Sequence, residues 1–272
     1  MKVKTGMCQI RVVYDDCEGN LQRAAEAVRE AAAQGAEICL LPEALDLGWA
    51  NPRAKELAAP IPGLVSDRLC ALAKENGVWL VSGLTEKSGE DACNAALLIS
   101  SEGEILLKHR KINILTGVED VYTPGDRLGT ADTPFGRIGI DICADNFMNS
   151  LSLAHALARM GARMILSPCS WAVTPQRDPQ KDPYGAEWHE PYQLISSLYG
   201  IPVIGCSNTG ELSAGPWKGW KAIGNSIAYD SDGKLKTVLP YGEDAVCTRV
   251  IDIEVLPAAD SGTALAERVS RS

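Results

Sequence analysis

One pattern of apolar and polar positions recurs four times along the chain: an amphipathic helix, a glycine, then an apolar run short enough for a buried strand. The first helix is predicted over Asn20–Gln34, with Leu21, Ala24, Ala25, Val28, Ala31 and Ala32 on one face. Asn20 reads as its N-cap and Gly35 as the left-handed residue that ends it, and the strand Ala36–Leu41 follows. The second unit is Ser66–Asn76, Gly77 and Val78–Ser82. The third is Leu151–Met160, Gly161 and Arg163–Leu166, and the fourth is Pro191–Tyr199, Gly200 and Pro202–Cys206. Further strands are predicted at Lys4–Ile10, Ala92–Ser100, Glu104–His109, Arg137–Ile142, Ala222–Tyr229 and Ala245–Ile253. Ser101–Glu104 and Asp230–Lys234 have the composition of hairpin turns. Strands alternating with helices imply a layered α/β fold with sheets buried on at least one face. The hairpins count against a purely parallel, doubly wound sheet. Two units precede Cys143 and two follow it, which implies two similar halves. The polar, proline-rich stretch Arg177–Gly185 reads as a long loop, so the chain reads as a single domain.

Composition removes several classes of function. A net charge of −9 disfavours nucleic acid and anionic membranes as partners. No apolar run approaches the roughly 20 residues that span a bilayer. Met1–Thr5 enters a strand-like run without a signal peptide's apolar core, so a cytoplasmic location is expected. The nine cysteines are odd in number and sit mostly in apolar runs (Cys39, Cys93, Cys206, Cys247). They read as small buried hydrophobes in a reducing compartment. Three histidines and no C-x-x-C pair leave neither a zinc nor a haem site to be expected.

Three positions carry candidate chemistry. Cys143 stands at the end of the strand Arg137–Ile142, Glu43 follows a strand in Leu40-Leu41-Pro42-Glu43-Ala44, and Lys111 closes Lys108-His109-Arg110-Lys111. A thiol, a carboxylate and an ammonium are a nucleophile, a base and a cation for a developing oxyanion, the groups acyl transfer needs. Taken singly, each has a plainer reading: a buried cysteine, a turn glutamate after Pro42, and a surface lysine beside Lys108 and Arg110.

In this order and context the residues resemble the nitrilase (carbon–nitrogen hydrolase) superfamily. Leu41-Pro42-Glu43 is similar to the motif bearing the family's base, and Arg110-Lys111-Ile112 to its lysine motif. Tyr122-Thr123-Pro124-Gly125-Asp126 resembles the Y-x-P-G-D that follows. Gly139 to Asp145 resembles the nucleophile motif, with the Cys-x-Asp of amidase-type members rather than the Cys-Trp-Glu of nitrilases proper. Ser207-Asn208-Thr209-Gly210 and Gly224-Asn225-Ser226 resemble later landmarks. The match places a domain at 1–255 and a C-terminal tail at 256–272. Asn146-Phe147-Met148-Asn149 departs from the arginine and Phe-Pro-Glu that many members carry there, which weakens any transfer of substrate preference.

The resemblance implies a four-layer α-β-β-α sandwich that forms a homodimer or higher homo-oligomer. It implies an amidohydrolase, without cofactor or metal, that cleaves a small amide or N-carbamoyl (ureido) compound. Cys143 would form a thioester and Glu43 would move protons. Lys111 and the backbone N–H of Ala144 would bind the oxyanion, and the ammonium of Lys111 would favour the thiolate. Glu119 is expected to hydrogen-bond Lys111 or position substrate. Trp171, and by the same logic Trp188, is expected on a pocket wall built from loops such as Asn51–Pro60 and Thr174–His189. His109 is expected to be solvent-exposed and His155 to be a satisfied helical residue, while His189 is weighed for the pocket and read as structural. The alternatives are a nitrilase with the same triad, a catalytically silent binding scaffold, and a cysteine peptidase pairing Cys143 with His109.

Overall fold

The computed structural model describes residues 1–257 and 260–272. The first half contains β1 (Lys2–Gln9), α1 (Cys17–Ala33), β2 (Ile38–Leu40), α2 (Ala54–Leu57), α3 (Leu64–Asn76), β3 (Trp79–Ser88), β4 (Asp91–Ile99) and β5 (Ile105–Arg110). The second opens with β6 (Thr130–Thr133), β7 (Gly136–Ile140), a 3-10 turn at Cys143–Asn146, α4 (Ser152–Arg159), β8 (Met164–Cys169) and β9 (Ala172–Val173). It continues through α5 (Ala186–Tyr199), β10 (Val203–Ser207), β11 (Thr209–Glu211), β12 (Lys221–Ile223), β13 (Ile227–Tyr229) and β14 (Leu235–Val238). The chain closes with β15 (Cys247–Glu254) and α6 (Gly262–Ser270).

The two halves repeat one strand order. In the first sheet β1, β2 and β3 run parallel, and β4 and β5 continue antiparallel. In the second, β7, β8 and β10 run parallel, and β13 and β14 continue antiparallel. An antiparallel strand completes each sheet on the far side, β15 against β1 and β6 against β7. A short third sheet orders β11, β12 and β9.

Alternation along the strands sorts side chains between two cores. Ile38, Leu40, Val81, Ala96 and Leu98 pack against the second sheet, whereas Cys39, Leu41, Leu80, Leu97 and Ile99 pack under α1 and α3. Helices α4 and α5 cover the outer face of the second sheet. The layers therefore run α-β-β-α. All nine cysteines are free, and among the described residues no helix is long and apolar enough to cross a membrane.

Several local expectations change. The N-cap of α1 is Asp16, whose carboxylate accepts the Gly19 N–H at 3.2 Å. Asn20 is instead buried one turn in, its amide bridging the carbonyls of Val13 and Asp46. The strand expected over Ala222–Tyr229 is two strands in different sheets, because Gly224 (φ +61°) and Asn225 (φ +58°) both turn left-handed. Helix α5 begins five residues before Pro191, whose fixed φ suits a helix even though it lacks the N–H. Part of the expected 256–272 tail, residues 258 and 259, lies outside the described residues. Within it α6 forms and buries Leu265 beside Ala158 of α4 and Tyr199 of α5.

Candidate active site

Glu43, Lys111 and Cys143 each follow the carboxyl end of a strand, β2, β5 and β7 respectively. Gly83 on β3 sets the first of these. A Cβ there would lie 2.5 Å from Glu43 Cα and 2.7 Å from Pro42 O, so a side chain would push the Pro42–Glu43 backbone away. Lys111 is fully buried, and its Nζ donates to Glu43 Oε1 at 2.8 Å and to Glu119 Oε1 at 2.7 Å. Asn94, on β4, donates to Glu43 Oε1 at 2.7 Å. Glu43 Oε2 is buried and has no hydrogen-bond partner among the described residues.

The charges of this cluster follow from burial and pairing. Burial pushes the Glu43 carboxyl up to about 7; Lys111 pulls against that and Glu119 adds to it. Burial alone would favour a neutral Lys111, but Glu119 and Glu43 outweigh it and hold the ammonium well above its usual range. Glu119 is fixed in turn: Oε1 accepts from Trp49 Nε1 at 2.6 Å and Oε2 from the Leu115 N–H at 2.9 Å.

Cys143 opens the 3-10 turn with φ +47°, a left-handed conformation that non-glycine residues seldom adopt. Its N–H donates to Ser167 Oγ at 3.1 Å. The turn is tied down by Asp145, which sequence reasoning treated only as part of a motif. Asp145 Oδ1 accepts the N–H groups of Ile112 (3.1 Å) and Asn113 (2.7 Å), and Oδ2 accepts that of Ile142 (3.0 Å). One carboxylate thus binds the backbone just after Lys111 and just before Cys143. His109 completes this contact with Nε2 2.9 Å from Asp145 Oδ2. The expectation that His109 is exposed is therefore corrected: it is buried, on the face of β5 opposite the exposed Leu106 and Lys108. The strand's period of two was the signal for it.

Lys111 pulls on the Cys143 thiol in the expected direction, toward thiolate, but does not prevail. Burial, then Cys169 and Glu43, push the Cys143 thiol well above its usual range, and the downward pull of Lys111 does not offset them. The resting nucleophile is a neutral thiol. The Ala144 N–H has no acceptor among the described residues, while its carbonyl accepts from Asn113 Nδ2 and Ser150 Oγ, both at 2.6 Å. Nearby, Asp141 is fully buried with Oδ1 on Asn146 Nδ2 at 2.6 Å. Burial and Asp145 push its carboxyl up to about 7.

A cavity of about 460 Å³ opens onto Cys143. Glu43 and Lys111 are fully buried and do not line it. Trp171 and Trp188 do, and the loop after β9 contributes Thr174, Gln176, Arg177, Asp182 and Tyr184. Asn51–Pro60 contributes nothing; Trp49, Trp217 and Trp220 form that wall instead. His189 faces Tyr229 OH at 2.9 Å and His155 faces Tyr199 OH at 2.7 Å, neither on the cavity.

The carbon-nitrogen hydrolase family model matches residues 4–259. Omega-amidase NIT2 of Mus musculus is 33% identical over 165 residues, a stretch covering 57% of this chain and 59% of that protein. The match thus spans less than two thirds of the omega-amidase's length. Nitrilase 2 of Arabidopsis thaliana is 27% identical over a 292-residue alignment covering 89% of this chain and 82% of that protein. Among solved structures, a carbon-nitrogen hydrolase from Helicobacter pylori G27 superposes with a TM-score of 0.81 at 19% identity, covering 99% of this chain and 92% of that one. The amidase from Nesterenkonia sp. AN1, in complex with acrylamide, superposes with a TM-score of 0.78 at 21% identity, covering 99% and 95%. These superpositions show a shared nitrilase-type fold.

Proposed function

The chain belongs to the carbon–nitrogen hydrolase family, and we propose that it is an amidohydrolase that cleaves a small amide or N-carbamoyl compound through a thioester on Cys143. The observation that carries this reading is the state of Glu43. One oxygen is held by Lys111 and Asn94, the other is buried with no partner among the described residues, and the carboxyl titrates near neutrality beside a neutral thiol. Such a group can both take and return a proton at neutral pH.

Glu43 removes the proton from Cys143 as Sγ attacks the acyl carbon, and the C=O electron pair moves onto oxygen. Two of the three Lys111 N–H bonds are engaged by Glu43 and Glu119, leaving the third for that oxyanion together with the Ala144 N–H. A preorganised donor of this kind contributes about 3–4 kcal/mol to transition-state stabilisation. Collapse breaks the C–N bond, and Glu43 protonates the departing nitrogen, which leaves as ammonia or an amine. Water, deprotonated by Glu43, then cleaves the thioester. Glu119 orients Lys111, being itself fixed by Trp49 and the Leu115 N–H.

The match to Nitrilase 2 favours one second reading, hydrolysis of a nitrile by the same residues. Ammonia and acid released from matched amide and nitrile pairs separate the two. Intact-protein mass spectrometry after mixing with pooled amides, ureido acids and nitriles is the primary test, and an acyl adduct mapping to Cys143 is expected. Absence of both adduct and ammonia release across the panel would reject the amidohydrolase reading in favour of a binding scaffold. Nine free cysteines support a reducing, cytoplasmic setting. The proposed homo-oligomer is checked by light scattering.

A further inference from the structure

Five of the six tryptophans in the chain, Trp49, Trp171, Trp188, Trp217 and Trp220, line the cavity that opens onto Cys143. They fall into two groups. Phe147 and Trp188 stack with centroids 4.7 Å apart at 23°, and Trp188 stacks on Trp171 at 4.9 Å and 22°. Trp217 and Trp220 stack at 4.1 Å and 17°, with Trp49 tilted against Trp217 at 5.1 Å and 59°. The rings are also pinned by polar contacts: Trp188 Nε1 donates to Tyr184 OH at 2.7 Å, and Trp49 Nε1 to Glu119 Oε1 at 2.6 Å. Aromatic walls held in this way lose little freedom when a ligand arrives.

The charges around the same cavity argue against an anionic acyl group. Arg177 is the one cationic side chain among the described residues that line it. It is already engaged: Nε donates to Asp182 O at 3.0 Å, and Nη2 to Asp182 Oδ1 and Pro183 O, each at 3.1 Å. The guanidinium also lies 5.1 Å from the centre of the Tyr184 ring. Glu187 adds a negative charge without a compensating cation on the wall. A carboxylate on the substrate would enter beside that charge and meet a single cation whose charge Asp182 already offsets. A planar uncharged ring instead meets rings that favour offset-stacked and edge-to-face contacts. The Ser170 hydroxyl, on the wall and buried, has no partner among the described residues and leaves one hydrogen bond for a ring heteroatom or polar substituent.

We propose that the acyl half of the substrate carries an uncharged planar aromatic or heteroaromatic ring, bound between the tryptophan groups with its carbonyl carbon at Cys143. This assignment rests on the amidohydrolase reading. Calorimetric titration of the Cys143→Ala variant tests it with benzamide and phenylacetamide against propionamide and succinamate, alongside kcat/KM for the same four amides with the unaltered enzyme. The better aryl amide is expected to bind about tenfold more tightly than either aliphatic amide, with kcat/KM in the same order. Trp217→Leu, at a half-exposed ring, is expected to abolish that preference. Equal affinity for the four amides, or a preference for succinamate, would overturn the aromatic assignment. Aryl-selective binding with no ammonia from any amide would reject the amidohydrolase reading and leave the aromatic subsite standing.

Discussion

Asp145 Oδ2 and His109 Nε2 stand 2.9 Å apart with both side chains closed off from solvent, and the same carboxylate accepts three backbone N–H groups. Through them it joins the segment bearing Lys111 to the strained turn bearing Cys143. An Asp145→Asn substitution keeps one acceptor oxygen and turns an NH2 toward N–H groups that have lost theirs. We expect a stability loss of about 3–5 kcal/mol, read from urea unfolding followed by circular dichroism. A loss under about 1 kcal/mol would show that the turn holds its conformation without this carboxylate.

Glu43→Gln keeps an acceptor for Lys111 but cannot move a proton. It should fold normally, with kcat reduced by about 10²–10⁴. Retention of more than about a tenth of the rate would place the base elsewhere. In the unaltered enzyme the base must be ionised, and Glu43 titrates at about 7. The kcat/KM profile should therefore rise with pH up to about 7 and level off above it, and the residual rate of Glu43→Gln should lack that limb.

Asp141 links pH to stability. Its folded pKa of about 7 lies above the ordinary 3.8, so the folded protein holds a proton that the unfolded chain has released between those values. The stability this proton contributes is complete below the lower value and is lost as pH rises through about 7. An asparagine has no such dependence. Relative to the unaltered protein, Asp141→Asn should gain about 2 kcal/mol between pH 5 and pH 8, measured by paired urea titrations. A difference that stays constant across that range would mean that Asp141 is ionised in the fold without penalty.

Lys111→Ala leaves Glu43 and Glu119 as buried carboxylates with no cation between them. Near-total loss of turnover is expected, with destabilisation of about 3–5 kcal/mol. Adding Glu119→Gln should restore part of the stability and none of the activity. A Lys111→Ala enzyme that remains active would revive the pairing of Cys143 with His109, since a peptidase of that kind makes no use of the lysine.

The helix–glycine–strand units were legible because each junction is local. Gly35, Gly77, Gly161 and Gly200 all turn left-handed, at φ +85°, +62°, +95° and +62°, and each hands an apolar run to a strand. The strand break at Gly224-Asn225 was not legible, since apolar residues flank it on both sides and only pairing with different sheets separates them. Asp16 displaced Asn20 as a cap for a comparable reason. Asn20 is drawn inward by carbonyls at Val13 and Asp46, and Asp46 lies 26 residues away.

By itself the sequence determined the alternating α/β layers, the repeat of one half in the other, and the order of motifs that announces the family. Those properties depend on residues near one another in the chain, through helix and strand periodicity and the freedom of glycine. Tertiary structure alone decided that Trp49 meets Trp217, that Asp145 spans two strand ends, and that the Cys143 thiol is neutral while Glu43 titrates near 7. Ionisation depends on burial and on the charges that the folded sheets bring within a few ångströms, and neither is written in the spacing of residues along the chain.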